Sequence, residues 1–307
     1  MTPFAIAGIQ QHIGAESNIA AMEARLKLLL HLYPWVEMVL WSELAPFGPY
    51  LHHAQRLPGP AEEAFRVMAR RHKVWLLPGS LLEKRDGLIY NTTPVIDPAG
   101  EVVCRYRKMF PFLPLEEGVT AGEEFCVFDV PEVGRFAVLN CYDLWFPETA
   151  RTVTAMGAEV ILHPVMTHTV DRDVDISIAK ASAAMFQAYV FDINGLAVGG
   201  NGHSCVVDPS GRVLHQAGQT DEMIPVEIDL DQVRLQRRRG MRNMGQPLKS
   251  FRDSRAHFEV YDPSLRDMTY LQTLGPLGKP GRLRQVHRPA DEPECDRPHQ
   301  PAPVAVG

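Results

Sequence analysis

The sequence predicts an α/β fold, two sheets with helices laid outside them. Two observations carry that reading. Strand-like apolar runs alternate with helix-period segments and hairpins in both halves of the 307 residues. A similar hairpin also occurs twice, VIDPAGEVV at 95–103 and VVDPSGRVL at 206–214, which points to pseudo-symmetric halves sharing one core. With 45% hydrophobic residues, the chain has enough apolar side chain for a sizeable core.

The elements follow in order. Residues 4–10 (FAIAGIQ) read as a buried strand, and 17–32 as a helix with Ile19, Met22, Leu26, Leu29 and Leu30 on one face and Ser17 or Asn18 as cap. Residues 36–42 form a second strand ending at Glu43, and Pro60 starts a helix to Arg71. Strands are expected at 74–83, 88–97 and 101–108, the last two joined by the turn Asp97-Pro98-Ala99-Gly100. The second half reads strand 135–140, helix 147–156, strand 159–163, helix 172–188, strands 189–198, 202–208, 212–217 and 224–229, and a charged helix 230–240. After Gly240 the periodicity fades. Three parts are therefore expected: a core over 1–240, an extension over 241–275, and a Pro-rich tail over 276–307 without fixed structure.

Bulk properties exclude several classes. A net charge of −6 and a pI of about 6.1 give no reason to expect nucleic acid or an anionic membrane as partner. The basic run RLQRRRGMR (234–242) has no interleaved aromatics and reads as a solvated helix end, where cations suit the dipole. Apolar runs are too short to span a bilayer, and the first residues lack a basic n-region and a full h-region. Five cysteines at irregular spacing with no CxxC suggest reduced thiols and a cytoplasmic protein, with Cys104, Cys126, Cys205 and Cys295 inert.

Three strand ends carry reactive side chains. Cys141 lies in NCYDLWFPETAR, between a strand and a helix. Its thiolate would gain from nearby helix-terminal N–H groups, and the Tyr142 N–H would point at an oxyanion. Glu43 follows a buried strand in SELAPFGPY, and Lys108 ends a hairpin strand in YRKMFPFLPLE. Taken singly, each has an ordinary reading: a small buried thiol, a solvated strand end, an edge lysine.

Taken together and in this order, the motifs resemble the nitrilase superfamily of carbon–nitrogen hydrolases, over roughly residues 3–240. The resemblance implies a four-layer α-β-β-α sandwich and a Glu43–Lys108–Cys141 site with no metal and no cofactor. It also implies a second glutamate about eight residues after the lysine, which Glu116 fits, with Glu117 adjacent. In the implied roles, Glu43 moves protons, Lys108 faces the oxyanion, Cys141 forms a thioester, and Glu116 positions Lys108 or the substrate amide. Resembling enzymes form dimers through C-terminal segments, so 241–275 is expected to meet a partner subunit in a homodimer or larger homo-oligomer.

Two competing sites stay open at this level. His163 or His168 could pair with Cys141 as a dyad, and Asp171, Asp173 and Asp175 could be a metal cluster. In the resembling family this segment lines the pocket, so Thr167 and His168 are expected to contact substrate, as is Tyr142, with Trp145 and Phe146 forming one apolar wall. Nitrile-cleaving members commonly carry Cys-Trp-Glu; here Cys141-Tyr142-Asp143 resembles amidase and carbamoylase branches. Members that grip a carboxylate often place arginine two to four residues after the cysteine. Here those positions are Asp143, Leu144 and Trp145, leaving only an arginine from elsewhere, such as Arg172, for that task. The expectation is an amidase or N-carbamoyl hydrolase acting on a small neutral or cationic molecule. An aliphatic nitrilase, or an idle nitrilase-fold binding module, is the alternative.

Overall fold

The computed structural model describes residues 1–113, 115–262 and 269–278. In chain order, its strands longer than two residues are β1 (Pro3–Gln10), β2 (Met38–Trp41), β3 (Trp75–Leu77), β4 (Leu81–Arg85), β5 (Leu88–Ile96), β6 (Val102–Arg107), β7 (Cys126–Val130), β8 (Gly134–Val138), β9 (Val160–Val165), β10 (Tyr189–Asn194), β11 (Cys205–Val207), β12 (Val213–Gln216) and β13 (Glu222–Asp229). The helices are α1 (Ile19–Leu32), α2 (Pro60–His72), α3 (Pro147–Ala155), α4 (Arg172–Phe186), α5 (Leu230–Arg239) and α6 (Pro247–Asp253). One sheet runs β13-β1-β2-β3-β5-β4, with β6 also on β5; the other runs β12-β11-β10-β9-β8-β7. The centre of each sheet is parallel, β1-β2-β3 and β8-β9-β10.

Period-2 alternation assigns the layers. Phe4 and Ile6 of β1, with Met38 and Leu40 of β2, join Phe136, Val138 and Leu162 in one core between the sheets. The intervening Ala7, Ile9, Val39 and Trp41 face outward onto Met22, Leu26 and Phe65 of α1 and α2. On the far side, Val153 of α3 and Ala179, Ala183 and Phe186 of α4 cover the second sheet. The result is the α-β-β-α sandwich. Gly8 marks how closely the sheets approach, since a Cβ there would lie 2.2 Å from Cδ1 of Ile193 on β10.

The structure departs from the sequence reading in a few places. The expected strand 74–83 is two strands, because Pro78 has no N–H to donate and Gly79 turns the chain at φ +76°. A Cβ at Gly79 would fall 1.8 Å from the Ser42 carbonyl oxygen. The strand expected over 189–198 stops at Asn194, and that over 202–208 starts at Cys205. Cys104 and Cys126 are not separate thiols: they form a disulfide that joins β6 to β7 and so ties one sheet to the other, with Cα atoms 6.3 Å apart. Cys141 and Cys205 are free.

Within the extension, α6 packs on α4, and the Arg151 guanidinium lies over the rings of Phe186 and Phe251 at 5.2 and 4.3 Å. Phe258, Val260 and Tyr261 nearby remain exposed. Residues 279–307, most of the expected tail and Cys295 with it, lie outside the described residues. Among the described residues, no helix is long and apolar enough to cross a membrane.

Candidate active site

Strands of both sheets deliver the three reactive side chains to one end of the sandwich. Glu43 follows the parallel strand β2, and its N–H donates to the Val165 carbonyl at the end of β9, 3.2 Å away across the sheets. Cys141 follows β8 after Leu139 and Asn140. These sites lie beyond the carboxyl ends of parallel strands, where α/β sheets commonly leave a crevice. Lys108 follows β6, its N–H bonded to the Asn91 carbonyl on β5 at 2.9 Å. Two of the turns use left-handed backbone, Leu44 at φ +53° and Cys141 at φ +50°. Such geometry is uncommon for residues with a Cβ and persists where surrounding contacts over-determine it. Cys141 opens a short 3-10 turn, Cys141–Trp145, and Asp143 fixes that turn. The Asp143 carboxylate accepts from Asn140 N–H, Phe110 N–H and the Tyr106 hydroxyl at 2.9, 2.8 and 2.7 Å.

The polar contacts form one connected network. Lys108 Nζ donates to Glu43 Oε1 at 2.8 Å and to Glu116 Oε2 at 2.6 Å. Asn91 Nδ2 donates to the same two carboxylates at 2.8 and 2.9 Å, and Asn140 Nδ2 donates to Asn91 Oδ1 at 3.1 Å. The Cys141 thiol lines the same cavity as Glu43, Lys108 and Met166. Glu43 and Lys108 are each 1% exposed, so these charges are felt at low dielectric. Burial pushes Glu43 above the usual carboxylate range, although Lys108 pulls it down. Burial also pushes the Cys141 thiol well up, and the neighbouring Glu43 carboxylate adds to that. Burial opposes the charge on Lys108, but Glu43, Cys141 and Glu116 outweigh it and hold the ammonium well above its ordinary value. Burial would raise Glu116 as well, yet Lys108 brings it below the usual range. The resting site is therefore a protonated thiol beside a carboxylate able to take its proton.

Behind the nucleophile lies a second buried cluster. His163 Nδ1 faces Asp192 Oδ2 at 2.9 Å, and its Nε2 faces the Cys141 carbonyl oxygen at 2.9 Å. Both partners only accept, so the ring donates from both nitrogens and is an imidazolium. Burial works against that charge, but the bond to Asp192 wins and His163 is raised above its ordinary value. Arg172 donates to Asp192 and to the carbonyls of Gly202 and His203.

All eight side chains nominated from the sequence line one cavity of about 560 Å³: Glu43, Lys108, Glu116 and Cys141 at its reactive end, and Tyr142, Trp145, Thr167 and His168 on its walls. Glu116 rather than Glu117 contacts Lys108; Glu117 lies on the outer wall. Arg172 does not reach in, being committed to Asp192. The dyad reading loses His163, whose two nitrogens are engaged elsewhere. His168, the other candidate, lines the same cavity as Cys141, but no hydrogen bond joins the two among the described residues. The aspartates of the 171–175 segment do not form one cluster. Asp171 accepts from Thr169, whereas Asp175 accepts from Thr167 Oγ1 at 2.6 Å and Trp145 Nε1 at 2.8 Å. Among the described residues, no three His, Cys, Asp or Glu side chains gather where they could hold a metal ion.

With this arrangement in view, the comparisons decide the family. A model of the carbon-nitrogen hydrolase family matches residues 5–238. The chain belongs to the carbon-nitrogen hydrolase family. As such it is a hydrolase of carbon–nitrogen bonds, not an idle scaffold. Among curated relatives, the chain is 27% identical to the omega-amidase NIT2-A of Xenopus laevis, covering 65% of this chain and 82% of that protein. It is 31% identical to the 2-oxoglutaramate amidase of Bacillus subtilis strain 168, covering 56% of this chain and 68% of the relative. Among solved structures, Nit3 of Saccharomyces cerevisiae, a member of the nitrilase superfamily, matches with a TM-score of 0.70 at 22% identity, over 77% of this chain and 94% of that one. A cysteine-to-alanine mutant of the amidase from Nesterenkonia sp. AN1, in complex with butyramide, matches with a TM-score of 0.67 at 23% identity, over 78% and 96%. At these identities the structural matches speak for the fold.

Proposed function

We propose that this carbon–nitrogen hydrolase cleaves small amides or N-carbamoyl compounds through a thioester on Cys141. One observation carries the reading: the buried Lys108 ammonium bridges Glu43 and Glu116 at the end of the cavity that the Cys141 thiol also lines. Glu43 takes the thiol proton as Sγ attacks the carbonyl carbon, and the oxyanion that forms faces Lys108 Nζ and the Tyr142 N–H. Glu43 then returns the proton to the leaving nitrogen, the C–N bond breaks, and ammonia or an amine departs. A water next loses a proton to Glu43 and attacks the thioester. The second tetrahedral adduct collapses, the acid leaves, and the proton returns to sulfur. Asn91 and Glu116 hold Lys108 and Glu43 in register throughout. Relatives named omega-amidase and 2-oxoglutaramate amidase support the amide as the reacting group.

The test is ammonia release by wild type and Cys141→Ala from short aliphatic amides, formamide, N-carbamoyl amines, N-carbamoyl amino acids and a nitrile. Turnover of an amide or carbamoyl group that vanishes in Cys141→Ala is expected. Turnover of the nitrile alone, or undiminished turnover in the variant, would overturn the reading. We further propose that residues 1–240 carry the activity and that 241–275 meets a second copy of the chain. The exposed apolar row Phe258, Val260 and Tyr261 beside α3 and α4 supports this. A monomer by light scattering at micromolar concentration would count against it.

A further inference from the structure

Resting on the amide-hydrolase reading, we infer that the cavity selects amides whose far end carries a positive charge and turns away those ending in a carboxylate. The lining holds five carboxylates, Glu43, Glu116, Glu117, Asp171 and Asp175, against one ammonium, Lys108. That ammonium is 1% exposed and bonded to two of the five, so it has no charge to spare for a substrate's distant end. Among the described residues, no arginine lines the cavity. Arg172, the cation nearest Asp175, stands 3.8 Å from it and is tied to Asp192. Burial pushes His168, on the same wall, below its ordinary value, so it is neutral at neutral pH.

The outer wall has two features that suit a cation. One is the carboxylates of Glu117 and Asp171, which no cation pairs with among the described residues. The other is a group of aromatic rings: Tyr142 meets Phe112 at 4.9 Å and Trp145 at 5.8 Å. Phe112 and Trp145 are 38% and 39% exposed, so part of each ring is open to an arriving ligand. Ring faces and carboxylates together recognise ammonium groups. The Trp145 indole is anchored from behind by Asp175, so the wall is held in place. A substrate carboxylate in this position would meet like charge with nothing to offset it. The volume of about 560 Å³ leaves room for a short chain between the reacting amide and that wall.

Three substrates of similar length separate the possibilities on the intact protein: 5-aminopentanamide (cationic), pentanamide (neutral) and glutaramate (anionic). The expected order of kcat/KM at low salt is cation over neutral by about tenfold, and neutral over anion by a similar factor. Both gaps should shrink as ionic strength rises, because the outer carboxylates are near solvent. In Glu117→Gln/Asp171→Asn the cation-to-neutral ratio should fall toward one, and Trp145→Arg should raise relative turnover of glutaramate. Glutaramate turned over fastest by wild type, or equal rates on the cation and the neutral amide at low salt, would overturn the inference while leaving the amidase reading intact. No turnover of any of the three, with no adduct on Cys141, would overturn the amidase reading and this inference with it. The wild-type comparison is decisive even if a variant fails to fold.

Discussion

Two buried charge clusters flank Cys141, and they are unlike. The front cluster, facing the cavity, sets two carboxylates, Glu43 and Glu116, against one ammonium. The rear cluster sets Asp192, with Asp175 at its edge 3.8 Å from Arg172, against two cations, Arg172 and the His163 imidazolium. In the front, one carboxylate is short of a partner, and burial lifts Glu43 above the usual range. That shortage is what makes it a proton carrier. In the rear, the central pair pulls toward its charged forms: Asp192 lies below its ordinary value and His163 above. Neither His163 nor Asp192 lines the cavity, so the pair takes no part in the proton transfers there. It grips the Cys141 carbonyl and so holds the left-handed turn that presents the thiol. Buried charges do chemistry where their balance is incomplete and serve structure where it is saturated.

The comparison can be broken at several points. The largest effect belongs to the front. Cys141→Ala and Glu43→Gln should each lower kcat by on the order of 10⁴-fold, and Lys108→Ala by on the order of 10³-fold, with unfolding midpoints kept near wild type in Cys141→Ala. Next comes the rear. His163→Phe leaves the Cys141 carbonyl without its His163 donor and Asp192 with Arg172 alone, and should cost about 1–3 kcal/mol of stability in urea, a loss larger than that of Cys141→Ala. If His163→Phe were as stable as wild type, the rear cluster would not be the structural one.

Titration sharpens the distinction. His163 is raised above 6.5, so its stabilisation is complete below that pH and fades as pH rises through the folded value. Asp192 is lowered from 3.8, so its share is present above that pH and is lost only as pH falls through the still lower folded value. The urea midpoint should decline on the alkaline side in wild type, and His163→Asn should lack that component; superimposable curves would contradict it. For activity, Glu43 must be ionised to accept the thiol proton. The acid limb of kcat/KM should therefore lie above the ordinary carboxylate value of 4.5, because burial raises this group. The smaller effects lie at the edges. His168→Ala should keep measurable turnover, since the thiol works with Glu43; its abolition would revive the dyad. Phe251→Ala should cost no more than about 1 kcal/mol, the scale of an exposed cation–π contact with Arg151.

How much of this was legible beforehand depended on where each residue sits along the chain. Glu43, Lys108 and Cys141 each lie just past a strand in a distinctive local wording, so their places were readable before their proximity was. Asn91 and Asn140 were not: a lone asparagine in or after an apolar run looks like ordinary strand alternation or a turn. The rear cluster was hidden for a different reason. His163 and Asp192 lie 29 residues apart and meet because the parallel register of β9 on β10 sets them opposite one another. The Cys104–Cys126 disulfide was likewise invisible, since nothing in a separation of 22 residues reveals that β6 and β7 face each other from different sheets. The layers themselves were legible because strands alternate with helices along the chain and the continuous apolar runs of β1 and β2 call for cover on both faces. The break at Pro78-Gly79 was missed because an apolar count passes over two small breakers.

The most direct measurement is to quench wild-type turnover of a short amide in acid and map the acyl group by peptide mass spectrometry. The account predicts an acyl thioester on the peptide bearing Cys141, formed with loss of ammonia and absent from Cys141→Ala. Turnover by Cys141→Ala, or acyl label on any other residue, would contradict it.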